Sequence, residues 1–107
     1  MPIYEKRTYS LIVGHMPEAT RLFTEPGWPA LQSGGFDKKC VGFFVSDTGP
    51  LHQLTHIWRF DDDSDRRAHW AGLYADETFM QFALQIRTHI LDQEVQLLNP
   101  APWGPQP

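Results

Sequence analysis

Apolar and polar residues alternate over residues 3–11 (IYEKRTYSL), and Ile, Thr and two Tyr favour an extended chain, so this stretch predicts a strand. On it Glu5, Arg7 and Tyr9 share one face, because side chains alternate sides along a strand. After Gly14 the period changes. Pro17 suits the first turn of a helix, and Ala19, Leu22 and Phe23 form an apolar stripe at helical spacing. Glu25-Pro26-Gly27 predicts a break or kink, since proline disfavours helical geometry at the residue before it. A short helical piece restarts at Trp28 and ends at Ser33-Gly34-Gly35. Residues 38–47 read as a second strand with Val41, Phe43 and Val45 on one side, Asp47-Thr48-Gly49-Pro50 as a turn, and 51–60 as a third strand completing a hairpin. Asp61 to Ser64 supply N-caps for a helix to about residue 75. Asp76 caps a second helix over 77–90, striped by Phe79, Phe82, Ala83 and Ile86. A last strand covers 91–98. The tail, 99–107, holds four of the nine prolines, so it either packs across a surface or stays loose.

The order is β-α-β-β-α-β, a split βαβ arrangement of the α+β class. The expectation is one domain over 1–107, ferredoxin-like, with a four-stranded antiparallel sheet whose first and third strands lie side by side in the middle. The third strand carries Leu54, His56, Trp58 and Phe60 on one face and Thr55 and Ile57 on the other. Both faces are partly apolar, yet the helices can cover only one, and a bare apolar sheet face is larger than a soluble monomer usually exposes. The expectation is a homodimer packed sheet to sheet around an enclosed space.

Composition narrows the partners. Hydrophobic residues at 41% with 21% charged residues exclude a disordered chain. A net charge of -4 argues against a nucleic-acid binder, which needs a basic face to displace counterions. A single cysteine, Cys40, excludes a disulfide within the chain. No apolar run approaches the roughly 20 residues that span a bilayer, so no membrane partner is expected. The opening MPIYEKRTYS lacks an apolar signal segment, and the expected location is the cytoplasm.

Three stretches carry a family resemblance. YEKRTYSL followed by PEATRLF resembles the YELRTYTL start and first helix of the NIPSNAP family. GPLHQLTHIWRFDD resembles that family's GPLNQVVHLWAYDD, and LLNPAPWGP resembles its closing LxPAPFSP. The resemblance implies a dimeric α/β barrel of ferredoxin-like subunits. That superfamily includes cofactor-independent monooxygenases, heme-degrading enzymes, isomerases and cyclases, while the NIPSNAP branch has no generally established reaction. Lys6, His52 and Glu25-Pro26-Gly27 depart from the family pattern.

The candidate chemistry centres on Arg7 and His56, on neighbouring strands and expected to point into the space between the sheets. Arg offers a planar fork for oxyanions, and His can move a proton near neutral pH. Those two are the candidate catalytic pair; Tyr9, Glu5, Trp58 and Gln53 are the candidate substrate contacts. The alternative is structural: Arg7 paired with Glu5 or Glu94, and His56 bonded across a dimer interface. No metal is expected, because His52 and His56 on a strand stand roughly 13 Å apart at about 3.3 Å per residue. No cofactor is expected either: no Gly-rich phosphate loop, G-x-S-x-G elbow or Cys-x-x-Cys occurs. Cys40 and the Trp70 and Phe79/Phe82 positions read as packing. The functional expectation is a dimer that binds or transforms a small organic molecule, as a cofactor-independent oxygenase, isomerase or cyclase, with a non-catalytic binding or scaffold module as the alternative.

Overall fold

The computed structural model describes all 107 residues, Met1–Pro107. Strand β1 (Ile3–Leu11) leads to helix α1 (Met16–Leu22), in which Pro17 occupies the first turn. The break or kink expected at Pro26 takes the form of a widened π turn, Phe23–Gly27, that runs directly into α2 (Trp28–Ser33). Proline has no N–H to give and its ring crowds the carbonyl four residues back, and a π turn absorbs that misfit without ending the helix. Gly34 and Gly35 close α2, Gly35 with a positive φ of 75°, and a 3-10 turn at Phe36–Lys39 follows. Strand β2 (Cys40–Val45) is therefore shorter than its sequence pattern.

The hairpin partner β3 spans Gln53–Phe60. Helix α3 (Asp63–Ala75) starts where the Asp62 carboxylate accepts from the Asp65 N–H at 2.8 Å. Helix α4 (Glu77–Ile86) starts where the Asp76 carboxylate accepts from the Phe79 N–H at 2.9 Å. Both caps satisfy amides that have no helical partner. The 3-10 turn Arg87–His89 takes the end of the expected helix, and β4 (Ile90–Leu98) begins one residue early.

The four strands form one antiparallel sheet in the order β2-β3-β1-β4, so the ferredoxin-like α+β arrangement is present, with β1 and β3 central. In β2 the register slips between Cys40 and Gly42, which sets Val41 aside as a bulge and leaves Phe43 opposite His56.

The helices settle which sheet face is the core. Along β3 every second residue is buried: Leu54, His56, Trp58 and Phe60. Trp58 and Phe60 pack with Leu31, Trp70 and Leu73, while Leu11 packs with Ala19, Leu22, Phe82 and Ile86. The face carrying Arg7 and His56 is thus the helix-covered one, and the expected space between two sheets is not where these side chains point. The physical reason lies in the two sets themselves. Leu54, His56, Trp58 and Phe60 hold far more apolar area than Gln53, Thr55, Ile57 and Arg59, and the helices cover the richer set. The open face is consequently more polar than the dimer argument assumed, with Lys6, Thr8 and Ser10 of β1 beside Thr55 and Gln53 of β3. The tail comes back to this face: the Tyr4 hydroxyl donates to the Pro107 carbonyl at 2.6 Å. No helix is long and apolar enough to cross a membrane.

Candidate functional site

A cavity of about 110 Å³ lies between the covered sheet face and the helices. Its floor is Tyr9 and Arg7 of β1, His56 and Trp58 of β3 and Phe43 of β2; its roof comes from Phe23, Trp70, Phe79 and Phe82. In-register pairing of Arg7 with His56 and of Glu5 with Trp58 sets these four side by side.

His56 is the best-defined polar group. It is buried, stacked on Phe43 with centroids 4.7 Å apart, and met edge-on by Tyr9 at 5.1 Å. The Trp58 indole N–H donates to its Nδ1 at 2.6 Å. An indole N–H can only donate, so Nδ1 is the acceptor and the ring's hydrogen sits on Nε2. Burial first, and the positive charge of Arg7 second, push the imidazole pKa down to about 3, so the ring is neutral at ordinary pH. Its Nε2 is buried and has no hydrogen-bond partner in the protein. A buried N–H without a partner is costly, on the order of 1–3 kcal/mol, and uncommon in native folds. The Nε1 of Trp70, another wall residue, is also buried without a partner.

Arg7 is held rather than free. Its Nε donates to Glu5 Oε2 at 2.7 Å, an η nitrogen to the Tyr74 hydroxyl at 3.3 Å, and the guanidinium lies 3.9 Å above the Trp70 ring centroid. Burial alone would depress its pKa, but the hydrogen bond to Glu5 and the neighbouring oxygens more than offset this, and the group stays charged. Glu5 is fully buried and is bonded twice, since Arg66 of α3 donates to its other oxygen at 2.9 Å. A bare carboxylate could not remain there; two guanidinium partners make the site tolerable. Burial raises the Tyr9 phenol pKa against the opposing charge of Arg7, so Tyr9 remains a neutral hydroxyl. The residue set therefore presents hydrogen-bond donors to the cavity, while its one carboxylate is consumed by two arginines.

Of the six sequence-predicted site residues, the structure brings Arg7, Tyr9, His56 and Trp58 to the cavity wall and puts Glu5 directly behind Arg7. Gln53 is not among them. Strand alternation turns it to the open face, where its amide donates to Ser10 Oγ at 3.4 Å. Of the two acids named as alternative partners of Arg7, Glu5 is the one bonded, and Glu94 pairs in register with Thr8 on the other face. Sequence reasoning missed Phe43, Tyr74, Arg87 and Gln93 as cavity residues and read Trp70 as core alone. Only Phe43 carried a signal, as an aromatic on the hairpin partner opposite His56. Cys40 is half-buried, and burial pushes its thiol up to about 11, consistent with packing rather than nucleophilic use.

Sheet order, helix layer and buried donor set define the chain as a ferredoxin-like α+β protein with an internal cavity. A family model for NIPSNAP proteins matches residues 4–105, and the chain belongs to the NIPSNAP family. It is similar to a NIPSNAP family protein of unknown function from Agrobacterium tumefaciens, at 33% identity and TM-score 0.89 over 97% of this chain and 92% of that one. A second Agrobacterium tumefaciens NIPSNAP protein aligns at 28% identity and TM-score 0.89, over 96% and 89% of the two chains. An uncharacterized NIPSNAP domain protein from Burkholderia xenovorans aligns at 28% identity and TM-score 0.87, over 97% and 99%. An antibiotic biosynthesis monooxygenase shares the fold alone, at 15% identity and TM-score 0.63 over 94% and 99%. Among curated proteins the chain has no match.

Proposed function

We propose that this NIPSNAP protein binds a small organic molecule inside each subunit through a carbonyl or carboxylate oxygen that accepts from His56 Nε2–H beside Arg7. The observation that carries the reading is the buried, unpartnered Nε2–H of His56, a residue that lines the cavity. An oxygen acceptor there would satisfy the donor and meet a guanidinium already oriented by Glu5. The volume suits a small head group: an apolar cavity of about 150 Å³ accommodates benzene.

The donor set also bears on chemistry. Neutral N–H and cationic donors stabilise negative charge developing on oxygen, which is how an enolate or other oxyanion is favoured. Proton abstraction is less well supplied. The lone pair of His56 Nδ1 is taken by Trp58, and both oxygens of Glu5 are taken by arginines. His56 thus acts as a fixed donor rather than as the acid or base its sequence position suggested. Binding with polarisation of the bound carbonyl is the reading supported best. The second reading, a non-catalytic binding module, is favoured by this same lack of a free base.

The open sheet face and the β4 edge are the surfaces a second copy would use in a homodimer. β4 is an edge strand with exposed Leu91, Val95, Leu97 and Leu98, and an apolar edge of this kind invites pairing.

Native mass spectrometry of protein purified without added ligand tests both parts. The expected species is a dimer carrying one extra small mass per subunit, with the mass absent from His56→Phe but the dimer intact. A mass that persists in both His56→Phe and Arg7→Met would refute the assigned contacts, and a monomer would refute the homodimer.

A further inference from the structure

The inner cavity does not end at its wall. Phe23 and Phe43 line it and also line an apolar groove of about 370 Å³ on the β2 side of the molecule, with Thr20, Thr24, Trp28, Phe44, Val45 and Leu54. Two aromatic rings therefore form a partition between the two spaces, 5.4 Å apart by centroid, with Phe23 also edge-on to Phe82 at 4.8 Å. Neither ring is fully buried, and Phe23 begins the π turn, the least regular part of the helical segment. Such turns relax the regular hydrogen-bond ladder and are frequent at functional sites.

Polarity runs one way across the sheet. At the β4 side the cavity is bounded by Tyr74, Arg87 and Gln93, all solvent-facing, with Arg7 just inside. His56 lies next, one strand further in, and Phe43 lies beyond it on β2. Past Phe43 the groove carries no charged residue. From β4 to β2 the order is thus cation, neutral donor, aromatic partition, apolar trough. A ligand matched to that order has an anionic or strongly accepting end and a plain hydrocarbon end. Its length must exceed what the inner cavity alone holds.

We propose that cavity and groove together hold one amphipathic ligand, an unbranched aliphatic carboxylate or similar acyl compound, whose oxygens meet Arg7 and His56 and whose chain passes Phe23 and Phe43 into the groove beside Trp28. This rests on the head-group reading given above and adds the substrate class. An unbranched chain is specified because the partition leaves little width, with the Phe23 and Phe43 centroids only 5.4 Å apart. The tail contributes through removal of apolar area from water; each methylene buried is worth a factor of roughly 3–4 in affinity.

The test uses the intact protein and the sodium salts of straight-chain acids from butanoate to decanoate, read by the indole N–H signals of the four tryptophans in nitrogen-labelled protein. Trp58 and Trp70 report the cavity, Trp28 reports the groove, and exposed Trp103 serves as a reference. Butanoate is expected to shift Trp58 and Trp70 alone. Octanoate is expected to shift Trp28 as well and to bind at least tenfold more tightly. The groove-filling variant Thr24→Trp, at an exposed position, should keep butanoate binding and lose the octanoate gain. If affinity stops rising after the shortest acids and Trp28 never moves, the tail assignment is overturned while the head assignment stands. If no acid of any length shifts Trp58, the head assignment falls and the tail with it. If octylamine binds as well as octanoate, the polarity order across the site is refuted.

Discussion

Replacing Glu5 by Gln perturbs the most constrained charge in the molecule. Both carboxylate oxygens are used, one by Arg7 Nε at 2.7 Å and one by Arg66 at 2.9 Å, and the residue has no exposed surface. An amide in its place keeps the shape but turns an N–H2 toward one of the two guanidinium groups, donor against donor, and removes the negative charge that balances them. Breaking a buried pair by removing one partner costs about 3–5 kcal/mol. The lower end applies here, because the arginines keep 12% and 17% of their side-chain surface in contact with solvent and can turn toward it. At roughly 2.1 cal/mol/K of unfolding entropy per residue, a chain of 107 residues converts a loss of about 3 kcal/mol into a fall in Tm of about 13 °C. Differential scanning calorimetry at pH 7 measures it directly. A fall smaller than about 4 °C, equivalent to less than about 1 kcal/mol, would refute the claim that Glu5 is the electrostatic keystone of Arg7 and Arg66.

Two further outcomes follow from the buried rings and the π turn. Burial pushes His56 down to about 3, and burial with help from the charge of Lys39 pushes His69 down to about 4, against an ordinary value of 6.5. Both rings are therefore neutral in the folded chain, whereas the unfolded chain takes up protons below about pH 6.5. Stability is fully present above that pH and falls as pH drops toward 4, with a slope approaching about 2.7 kcal/mol per pH unit for two protons. Urea titrations at pH 7, 6 and 5 read the slope, His56→Phe should halve it, and a flat profile from pH 7 to 5 would contradict the burial of both rings. In Gly27→Ala the new Cβ would lie 2.7 Å from Phe82 Cε1 and 3.1 Å from the Leu22 carbonyl oxygen, so the Phe82 ring must move and the backbone must shift by a few tenths of an ångström. The expected cost is about 1–3 kcal/mol, seen as a lowered Tm, and an unchanged Tm would mean the Phe82 ring gives way freely.

Strand periodicity made a large part of this molecule legible. Ile3–Leu11 was readable to the residue, because its alternation is flanked by Gly14 and Pro17. The Asp76 cap was readable to the residue and the Asp62 cap only to within Asp61–Ser64, because a carboxylate just before a helical stripe has one obvious job but four capping residues in a row do not say which one takes it. Residues 36–39 misled the reading of β2: local β propensity at Lys38–Val45 gives no hint that Gly35 starts a 3-10 turn. The π turn was visible only as an interruption, since nothing in Glu25-Pro26-Gly27 distinguishes a kink from a bulge that continues the helix. The pairing of His15 with His89, Nδ1 to Nδ1 at 2.8 Å, joins residues 74 positions apart and has no sequence signal.

The sequence by itself determined that Glu5, Arg7 and Tyr9 share a face, that His56 and Trp58 share one, and that the two sets are cross-strand neighbours. Period-two alternation and a βαβ order require no more than that. Only the tertiary structure decided which side of the sheet that face is on. Alternation divides a strand into two sets without saying which the helices cover, and the outcome depends on the apolar area summed over all four strands and the helical layer. That choice moved Arg7 and His56 from an interface between subunits to a cavity within one. It also took Gln53 out of the site, and it closed a Trp58 indole onto His56, a cavity-lining residue whose other ring N–H is left buried without a partner.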